Sequence, residues 1–323
     1  MSRTASPSAS APSTSRTGQP AIETRHLHKV YGHKVAVHDL DLAVEPGEVF
    51  GFLGPNGAGK TTTVKILLGL VRATRGEARI FGQPAGQQEA RRRIGYLPEH
   101  FRFHDWLTGE GLLDFHGRLA GLSPEQRRAR IPAVLDLVGL TGRGGDRLRG
   151  YSKGMTQRIG LAQAIIHEPD LVLLDEPTSA LDPVGRREVR DLIRALRARG
   201  MTVFLNSHLL SEVELVCDHV AIVDRGQVVR SGRLSDLVGV TNEIRLTLDR
   251  LDSVALALLP RYGRVLAIDH ASASVTLAVD HLGMAPELAE AVIRAGYRLF
   301  GLVPTRQSLE DVFVSLVRST SDR

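Results

Sequence analysis

The sequence has few of the features that mark secreted, membrane-spanning or nucleic-acid-binding chains. It contains a single cysteine, Cys217, which excludes an internal disulfide and fits a reducing compartment. We find no apolar run long enough to span a bilayer and no apolar signal-peptide core near the N-terminus. Aromatic residues make up only 5% of the chain, and no basic tract carries interleaved aromatics. Nucleic acid is therefore not an expected partner, and an arginine-rich solvated surface explains the formal net charge of +5.

Apolar residues, in contrast, are plentiful: they make up 42% of the 323 residues, enough for two globular domains. Residues 1–20 are rich in Ser, Ala, Pro and Thr, which predicts a disordered tail. Residues 21–240 are predicted to form an α/β domain around a parallel sheet, with a helical insertion at about 96–150. Residues 241–323 are predicted to form a small separate α+β domain.

The prediction for the last domain depends on its order of elements. Strands are expected at 242–248, 264–268, 275–279 and 298–303, and helices at 253–259 and 286–295. This βαββαβ order predicts a ferredoxin-like sandwich. A capping signal at Ser308 predicts one more helix after it.

A phosphate-binding loop is the strongest local signal. Residues 54–61 fit the pattern G-x-x-x-x-G-K-[ST], in which backbone N–H groups wrap phosphate oxygens at the start of a helix. A short apolar strand before the loop and an apolar-faced helix after it supply the required context. We expect Lys60 to hold the β- and γ-phosphates and the Thr61 hydroxyl to ligate Mg²⁺. The expected nucleotide contacts of the loop are Gly54, Asn56, Gly57, Gly59, Lys60, Thr61 and Thr62.

Two carboxylates end a second apolar strand. The strand at 171–174 is too short for a helix and lies between Pro169 and Pro177. Ligands collect at the carboxyl ends of parallel strands, so we expect Asp175 near the metal and Glu176 in position to take a proton from an attacking water. A paired surface Asp-Glu is the alternative.

Taken in order, the loop at 54–61, the segment 151–158 and the strand ending at Asp175 resemble the ATP-binding subunits of ABC transporters. In that family a Ser-x-Gly signature lies just before the strand that carries the magnesium aspartate and the catalytic glutamate. The resemblance implies an ABC ATPase core with an antiparallel β subdomain. It also implies that Ser152 and Gly154 contact the γ-phosphate of ATP bound to a partner subunit, so that two cassettes dimerise around ATP.

The signature of this chain departs from the common Leu-Ser-Gly-Gly-Gln form at Tyr151, Lys153 and Met155. It is similar to forms found in two-component efflux systems. Independently of the resemblance, Ser152 precedes a predicted helix at 153–166 that its hydroxyl can cap.

Three further site residues are implied by the resemblance. His208, which follows a predicted strand, corresponds to a histidine that senses the γ-phosphate, and Tyr31 corresponds to the aromatic residue that stacks on adenine. Glu99 lies where the family usually has a glutamine close to Mg²⁺ and the attacking water. The respective alternatives are a satisfied loop histidine, a tyrosine packed at a turn and a glutamate turned to solvent.

The resemblance implies an ATP-hydrolysing, energy-coupling subunit of an ABC transporter of the ABC-2, drug- or polysaccharide-exporter type. The expected cofactors are ATP and Mg²⁺. The expected partners are an integral membrane permease and a second cassette, identical or paired, at the cytoplasmic face of the cell membrane. A soluble ABC-type ATPase acting on ribosomes or DNA is the alternative, although this chain has neither two cassettes nor a long coiled coil. An unrelated P-loop kinase or GTPase is disfavoured by the signature and by the pair Asp175 and Glu176.

Overall fold

The computed structural model describes residues 18–179 and 181–321, so residues 1–17 of the predicted tail lie outside the described residues. The strands are β1 Ile22–Tyr31, β2 Lys34–Val44, β3 Val49–Leu53, β4 Arg75–Ile80, β5 Gln83–Pro84, β6 Ile94–Leu97, β7 Leu171–Asp175, β8 Thr202–Ser207, β9 His219–Asp224, β10 Gln227–Arg233, β11 Val240–Leu248, β12 Arg264–Asp269, β13 Ser274–Ala278 and β14 Leu299–Arg306. The helices are α1 Lys60–Leu67, α2 Gln88–Arg92, α3 Gly109–Leu119, α4 Pro124–Leu137, α5 Lys153–Ile165, α6 Pro183–Ala198, α7 Leu210–Glu214, α8 Leu234–Leu237, α9 Ser253–Leu258, α10 Ala285–Arg294 and α11 Leu309–Ser321.

A six-stranded sheet in the order β10-β9-β3-β8-β7-β6 forms the centre of the nucleotide-binding part. The five strands from β9 to β6 are parallel, and only β10 runs antiparallel to its neighbour. Every residue of β3, β7 and β8 is buried, as expected for parallel strands covered on both faces. The predicted apolar strands before the phosphate loop and before the carboxylate pair are therefore confirmed. Their carboxyl ends meet at one edge of the sheet.

A second, antiparallel sheet in the order β2-β1-β4-β5 covers one side of the central sheet. Apolar residues of β1, β2 and β4 share a core cluster with α1 and with Phe50, Phe52 and Phe204 of the central strands. The Phe204 ring lies 5.8 Å from the Phe50 ring and 5.2 Å from the Phe52 ring, centroid to centroid. This packing fixes the phosphate loop and α1 between the two sheets.

The helical insertion contains α3 and α4. Ser123 caps α4 with the predicted capping box, since its hydroxyl accepts from the Gln126 N–H and the Gln126 side chain accepts from the Ser123 N–H. The insertion begins later than the expected residue 96, because Tyr96 and Leu97 still pair with Leu173 and Leu174 in the central sheet. The connection to the first helix therefore starts beyond β6.

The C-terminal segment forms a third sheet in the order β12-β13-β11-β14, with all neighbours antiparallel. Each of the six predicted elements between 242 and 303 is present within a few residues of its expected bounds. Residues such as Ile244, Leu277 and Leu288 pack into a core cluster of their own.

Helix α11 does not join that C-terminal core. Leu309 and Val312 belong instead to a core cluster of the nucleotide-binding part, and the Leu309 N–H donates to the Glu214 carboxylate of α7 at 3.1 Å. The sequence predicts one separate domain over 241–323. The last helix of that range packs on the nucleotide-binding part, beside α7, the short helix that follows β8.

Candidate active site

The phosphate loop connects β3 to α1. Gly57 and Gly59 adopt left-handed backbone conformations with φ of 85° and 97°. A Cβ on Gly59 would also lie 2.3 Å from the Ala36 carbonyl oxygen, so only glycine fits there. The Lys60 ammonium folds back over the loop and donates to the Gly54 carbonyl oxygen at 2.6 Å. The loop thus forms a tight turn around the amine of its own lysine.

The groups that influence the pKa of Lys60 include three carboxylates. Burial lowers the pKa of the Lys60 ammonium. Three carboxylates oppose that shift through their charge: Glu176, Asp175 and Glu99. The structure therefore brings together the lysine and all three of the acidic residues that the sequence singled out.

A cavity of about 240 Å³ runs along the outside of the phosphate loop. It is lined by loop residues from Pro55 to Thr62, including Thr61, and by Tyr31 at the end of β1. The Tyr31 ring is about half exposed, and the Lys29 ammonium lies 4.8 Å from its centroid. Tyr31 and the loop thus share one cavity, as a residue that stacks on a nucleobase requires.

Asp175 and Glu176 lie at the carboxyl end of β7, and both are buried. Glu176 has a left-handed φ of 50°, which is unusual for a residue with a side chain and turns the chain sharply after the strand. The Glu176 N–H donates to the Asn206 carbonyl oxygen at 2.8 Å. The Asn206 side-chain N–H donates to Asp175 Oδ1 at 2.5 Å. The end of β8 thereby holds both acidic residues.

His208 and Ser207 approach the other carboxylate. The His208 ring nitrogen Nδ1 lies 2.8 Å from Glu176 Oε1, and the Ser207 hydroxyl lies 3.4 Å from Glu176 Oε2. Sequence reasoning placed His208 near a phosphate, but it did not find this contact with Glu176. An imidazole at hydrogen-bond distance can orient a carboxylate that accepts a proton.

Electrostatics at Asp175 favour a bound cation. Burial raises the pKa of Asp175, and the charges of Glu99 and Glu176 act in the same direction. The hydrogen bond from Asn206 and the charge of Lys60 oppose the shift. A nearby divalent cation would favour the ionised form of this carboxylate.

The available donors fit Mg²⁺. Thr61 supplies a hydroxyl at the start of α1 and Asp175 supplies a buried carboxylate, which matches the preference of Mg²⁺ for a few protein oxygens beside phosphate and water. Glu99 lies two residues beyond β6, with its side chain 45% exposed. It is near enough for its charge to influence Lys60 and Asp175.

The signature residues lie apart from this cavity. The Ser152 hydroxyl accepts from the Met155 N–H at 3.2 Å and caps α5, which confirms the predicted cap. Ser152 and Gly154 line a different cavity of about 370 Å³, together with Asp182. Within the described part of a single chain, the signature and Lys60 therefore do not face the same space.

A phosphate loop after one strand, with an Asp-Glu pair ending a strand two places away in the same sheet, defines a P-loop ATPase of the ATP-binding cassette class. A family model described as ABC transporter matches residues 37–179, and the chain belongs to this family. The protein accordingly binds ATP and is an ATPase that serves transport.

Curated relatives extend the match over nearly the whole chain. An uncharacterized ABC transporter ATP-binding protein of Synechocystis sp. is 41% identical over 92% of this chain and 84% of its own length. The bacitracin transport ATP-binding protein of Bacillus licheniformis is 35% identical over 92% of this chain and 97% of its own. A Nod factor export ATP-binding protein of Cupriavidus pinatubonensis is 36% identical over 91% of this chain and 90% of its own.

Solved structures agree with the fold. An ATP-binding cassette in a dimeric post-hydrolysis state with ADP and Pi is 25% identical to this chain, with a TM-score of 0.59. The match covers 66% of this chain and 99% of that one. None of the helices in the described ranges is both long and apolar enough to cross a membrane.

Proposed function

We propose that this chain is the energy-coupling subunit of an ABC exporter of the ABC-2 type, and that its membrane permease is a separate polypeptide. The observation that carries the proposal is the near full-length match to ATP-binding proteins named for bacitracin transport and Nod factor export. That match includes most of the C-terminal segment as well as the cassette, so the similarity extends beyond what any ATP-binding cassette would share. Export of a drug or a polysaccharide is the transport class that we propose.

The proposed mechanism assigns Glu176 as the general base for the attacking water. His208, at 2.8 Å, would orient the Glu176 carboxylate, and Lys60 would move from its loop carbonyls to the β- and γ-phosphates. Thr61 and Asp175 would hold Mg²⁺, with Glu99 beside them. When bound, Mg²⁺ neutralises charge on the phosphate oxygens. Tyr31 would stack on the adenine at the far end of the same cavity.

Two chains would complete the site. The signature residues Ser152 and Gly154 lie outside the cavity that contains Lys60, and the N-terminus of α5 is suited to an anion. A head-to-tail pair of cassettes would place each signature against the γ-phosphate held by the other chain. The similar cassette solved in a dimeric state supports this arrangement.

The helical insertion is the proposed contact with the permease. It exposes three large apolar side chains, at 67% for Trp106, 51% for Phe115 and 69% for Leu119. Phe115 and Leu119 lie four residues apart on α3 and share one face of that helix, and contiguous exposed apolar patches are typical of protein interaction surfaces. Binding there would hold the protein at the cytoplasmic face of the membrane and transmit opening and closing of the dimer.

The C-terminal segment is proposed to be a ferredoxin-like unit without catalytic function. Its βαββαβ order and its sheet order β12-β13-β11-β14 are those of a ferredoxin-like sandwich. We propose a division into a cassette at 21–240, with the insertion, and an accessory domain at 241–323 whose last helix packs on the cassette.

The first step of the test is to purify the tagged chain and identify the membrane proteins that co-purify with it. The second step compares the share of the chain that sediments with membranes in cells with and without the permease so identified. We expect membrane association only when the permease is present. The double variant Trp106→Ala, Phe115→Ala should lose it, because the insertion surface is removed. Phe300→Ala, which truncates an aromatic side chain that is 70% exposed in the C-terminal segment, is the matched control and should keep it.

Two outcomes would overturn the assignment. Equal membrane binding without any permease would point to direct lipid attachment. Sedimentation with ribosomes in place of membranes would favour a soluble ABC-type ATPase.

A further inference from the structure

Asn206 carries the one buried side-chain nitrogen or oxygen, among the described residues, that has no hydrogen-bond partner. The unpartnered atom is Oδ1, and the residue is only 2% exposed. Buried polar atoms are nearly always hydrogen-bonded, so an exception needs an explanation. The location gives one, because Asn206 lies at the end of β8 directly opposite Asp175 in the parallel pairing with β7.

Asn206 touches both acidic residues of the site by different atoms. Its main-chain carbonyl accepts from the Glu176 N–H, a bond that any residue at this position could make. Its side-chain amide donates to Asp175 Oδ1, a bond that depends on the asparagine. The amide must present nitrogen to the ionised carboxylate, since the opposite orientation would set two acceptor oxygens 2.5 Å apart.

We propose that Asn206 is a positioning residue that orients Asp175 for Mg²⁺; this inference rests on the proposed role of Asp175 as a metal ligand. A hydrogen bond to one oxygen fixes the plane of the carboxylate and leaves the other oxygen for the cation. Metal-binding carboxylates are characteristically held in this way by partners outside the coordination sphere. An uncharged amide provides the donor without placing another charge among Lys60, Asp175 and Glu176.

The unpartnered Oδ1 separates this role from a purely structural one. A residue retained for stability alone would not leave a buried acceptor unsatisfied, since an apolar side chain of similar shape would avoid that penalty. Asn206→Leu removes both the donor and the unpartnered acceptor. We therefore expect it to weaken Mg²⁺ binding. The metal-free protein should also lose some stability, because the buried Asp175 Oδ1 is left without its donor, so the Mg²⁺ titration and not the melting temperature tests the role.

In the first measurement, Mg²⁺ is added to the full chain with fluorescent ADP, a nucleotide that is not hydrolysed, and the half-saturating Mg²⁺ concentration is read from the fluorescence. In the second, the affinity for the same nucleotide is measured in EDTA. For Asn206→Leu, we expect the half-saturating Mg²⁺ concentration to rise by roughly ten- to a hundredfold, the usual effect of losing such a partner. Nucleotide affinity in EDTA should be unchanged. Asn206→Ser, which is too short to reach Asp175, should give the same shift and serves if the leucine variant does not fold.

Thr202→Val is the matched control. Thr202 is a buried polar residue at the other end of β8 whose hydroxyl accepts from the Gly47 N–H at 3.0 Å. Its loss should lower the melting temperature and leave the Mg²⁺ titration unchanged. An unchanged Mg²⁺ titration in Asn206→Leu and Asn206→Ser, or an equal loss of affinity in EDTA, would overturn the inference.

Asp175→Asn distinguishes failure of the inference from failure of the proposed function. If Asp175→Asn shifts the Mg²⁺ titration and the Asn206 variants do not, only the positioning role is wrong. If Asp175→Asn also leaves the titration unchanged, Asp175 is not a metal ligand, and both proposals fail.

Discussion

Asp175 and Glu176 are neighbours at the end of one strand, yet their surroundings give them different chemistry. Asp175 receives a hydrogen bond from an amide, whereas Glu176 lies against the His208 ring. Burial raises the pKa of Asp175. Two carboxylates whose surroundings differ can take separate roles in one reaction, which suits the proposed roles of Asp175 as metal ligand and Glu176 as base.

The raised pKa of Asp175 has a consequence for stability. Because its pKa in the folded protein lies above the ordinary value of 3.8, ionised Asp175 destabilises the metal-free protein at neutral pH. This penalty shrinks as the pH falls through the raised pKa and is absent below 3.8. We therefore expect Asp175→Asn to raise the melting temperature in EDTA at pH 7, because the neutral amide does not carry this penalty. Thermal unfolding at several pH values measures the effect.

Asp114→Asn is the control with the opposite sign. A hydrogen bond from Arg127 lowers the pKa of Asp114, so this carboxylate stabilises the protein at neutral pH and loses that contribution as the pH falls. Its replacement should lower the melting temperature at pH 7. A drop for Asp175→Asn at pH 7 would contradict the conclusion that burial destabilises the ionised form of Asp175.

Glu99 is the proposed counterpart of the glutamine usual in the family, and its charge acts on Lys60 and Asp175. We expect Glu99→Gln to keep ATPase activity but to raise the Mg²⁺ concentration for the half-maximal rate, because a negative charge is lost near the metal. Glu99→Ala should also weaken coupling to the permease. Steady-state rates over a Mg²⁺ series measure the shift, and Glu287→Gln, a distant helix carboxylate, should show none. Unchanged Mg²⁺ dependence in both Glu99 variants would place this residue outside the metal's surroundings.

Residues with a local signature could be predicted from the sequence, whereas cross-strand contacts could not. The glycine and lysine pattern of the phosphate loop and the apolar strand before Asp175 need only neighbouring residues to be recognised. The contacts of Asn206 with Asp175 and of His208 with Glu176 depend on β8 lying beside β7. That sheet order is a property of the whole fold and cannot be read from neighbouring residues. The one local signal for a role of Asn206 is that a polar residue ends a buried strand.

At the element scale, most helices and strands could be predicted, but the docking of α11 could not. An amphipathic pattern shows that a helix buries one face without showing which surface covers it. Here the covering surface is α7, the helix that begins three residues after Ser207. Through Glu214 and Leu309, the C-terminal segment is joined to the element that follows His208.

Two valines of α11 test this contact. Val312 is 8% exposed against the nucleotide-binding part, whereas Val314 is 40% exposed. We expect Val312→Asp to destabilise the protein by about 1–3 kcal/mol, or to release α11 for proteolysis, because a charge would enter a packed interface. Val314→Asp should change little. Thermal unfolding with limited proteolysis measures both, and equal behaviour of the two variants would show that α11 does not dock through this face.

At the scale of the whole molecule, the proposed dimer would join the two cavities of one chain to those of a second chain. Lys60 and Tyr31 line one cavity, and Ser152 and Gly154 line the other. ATP bound in the first would be completed by the signature of a partner. Nucleotide should therefore control association, and hydrolysis should reverse it.

The most direct measurement is the mass in solution of Glu176→Gln with ATP and Mg²⁺, determined by light scattering alongside its hydrolysis rate. We expect hydrolysis to fall by roughly 10²–10⁴-fold, the usual effect of losing a positioned base, and a dimer to persist because ATP is not consumed. Adding Ser152→Asp should keep the helix cap but repel the phosphate, so that this double variant binds ATP as a monomer. Near-normal turnover in Glu176→Gln would contradict the role of Glu176 as base. An ATP-bound monomer of this variant would contradict a dimer in which each ATP lies between the phosphate loop of one chain and the signature of the other.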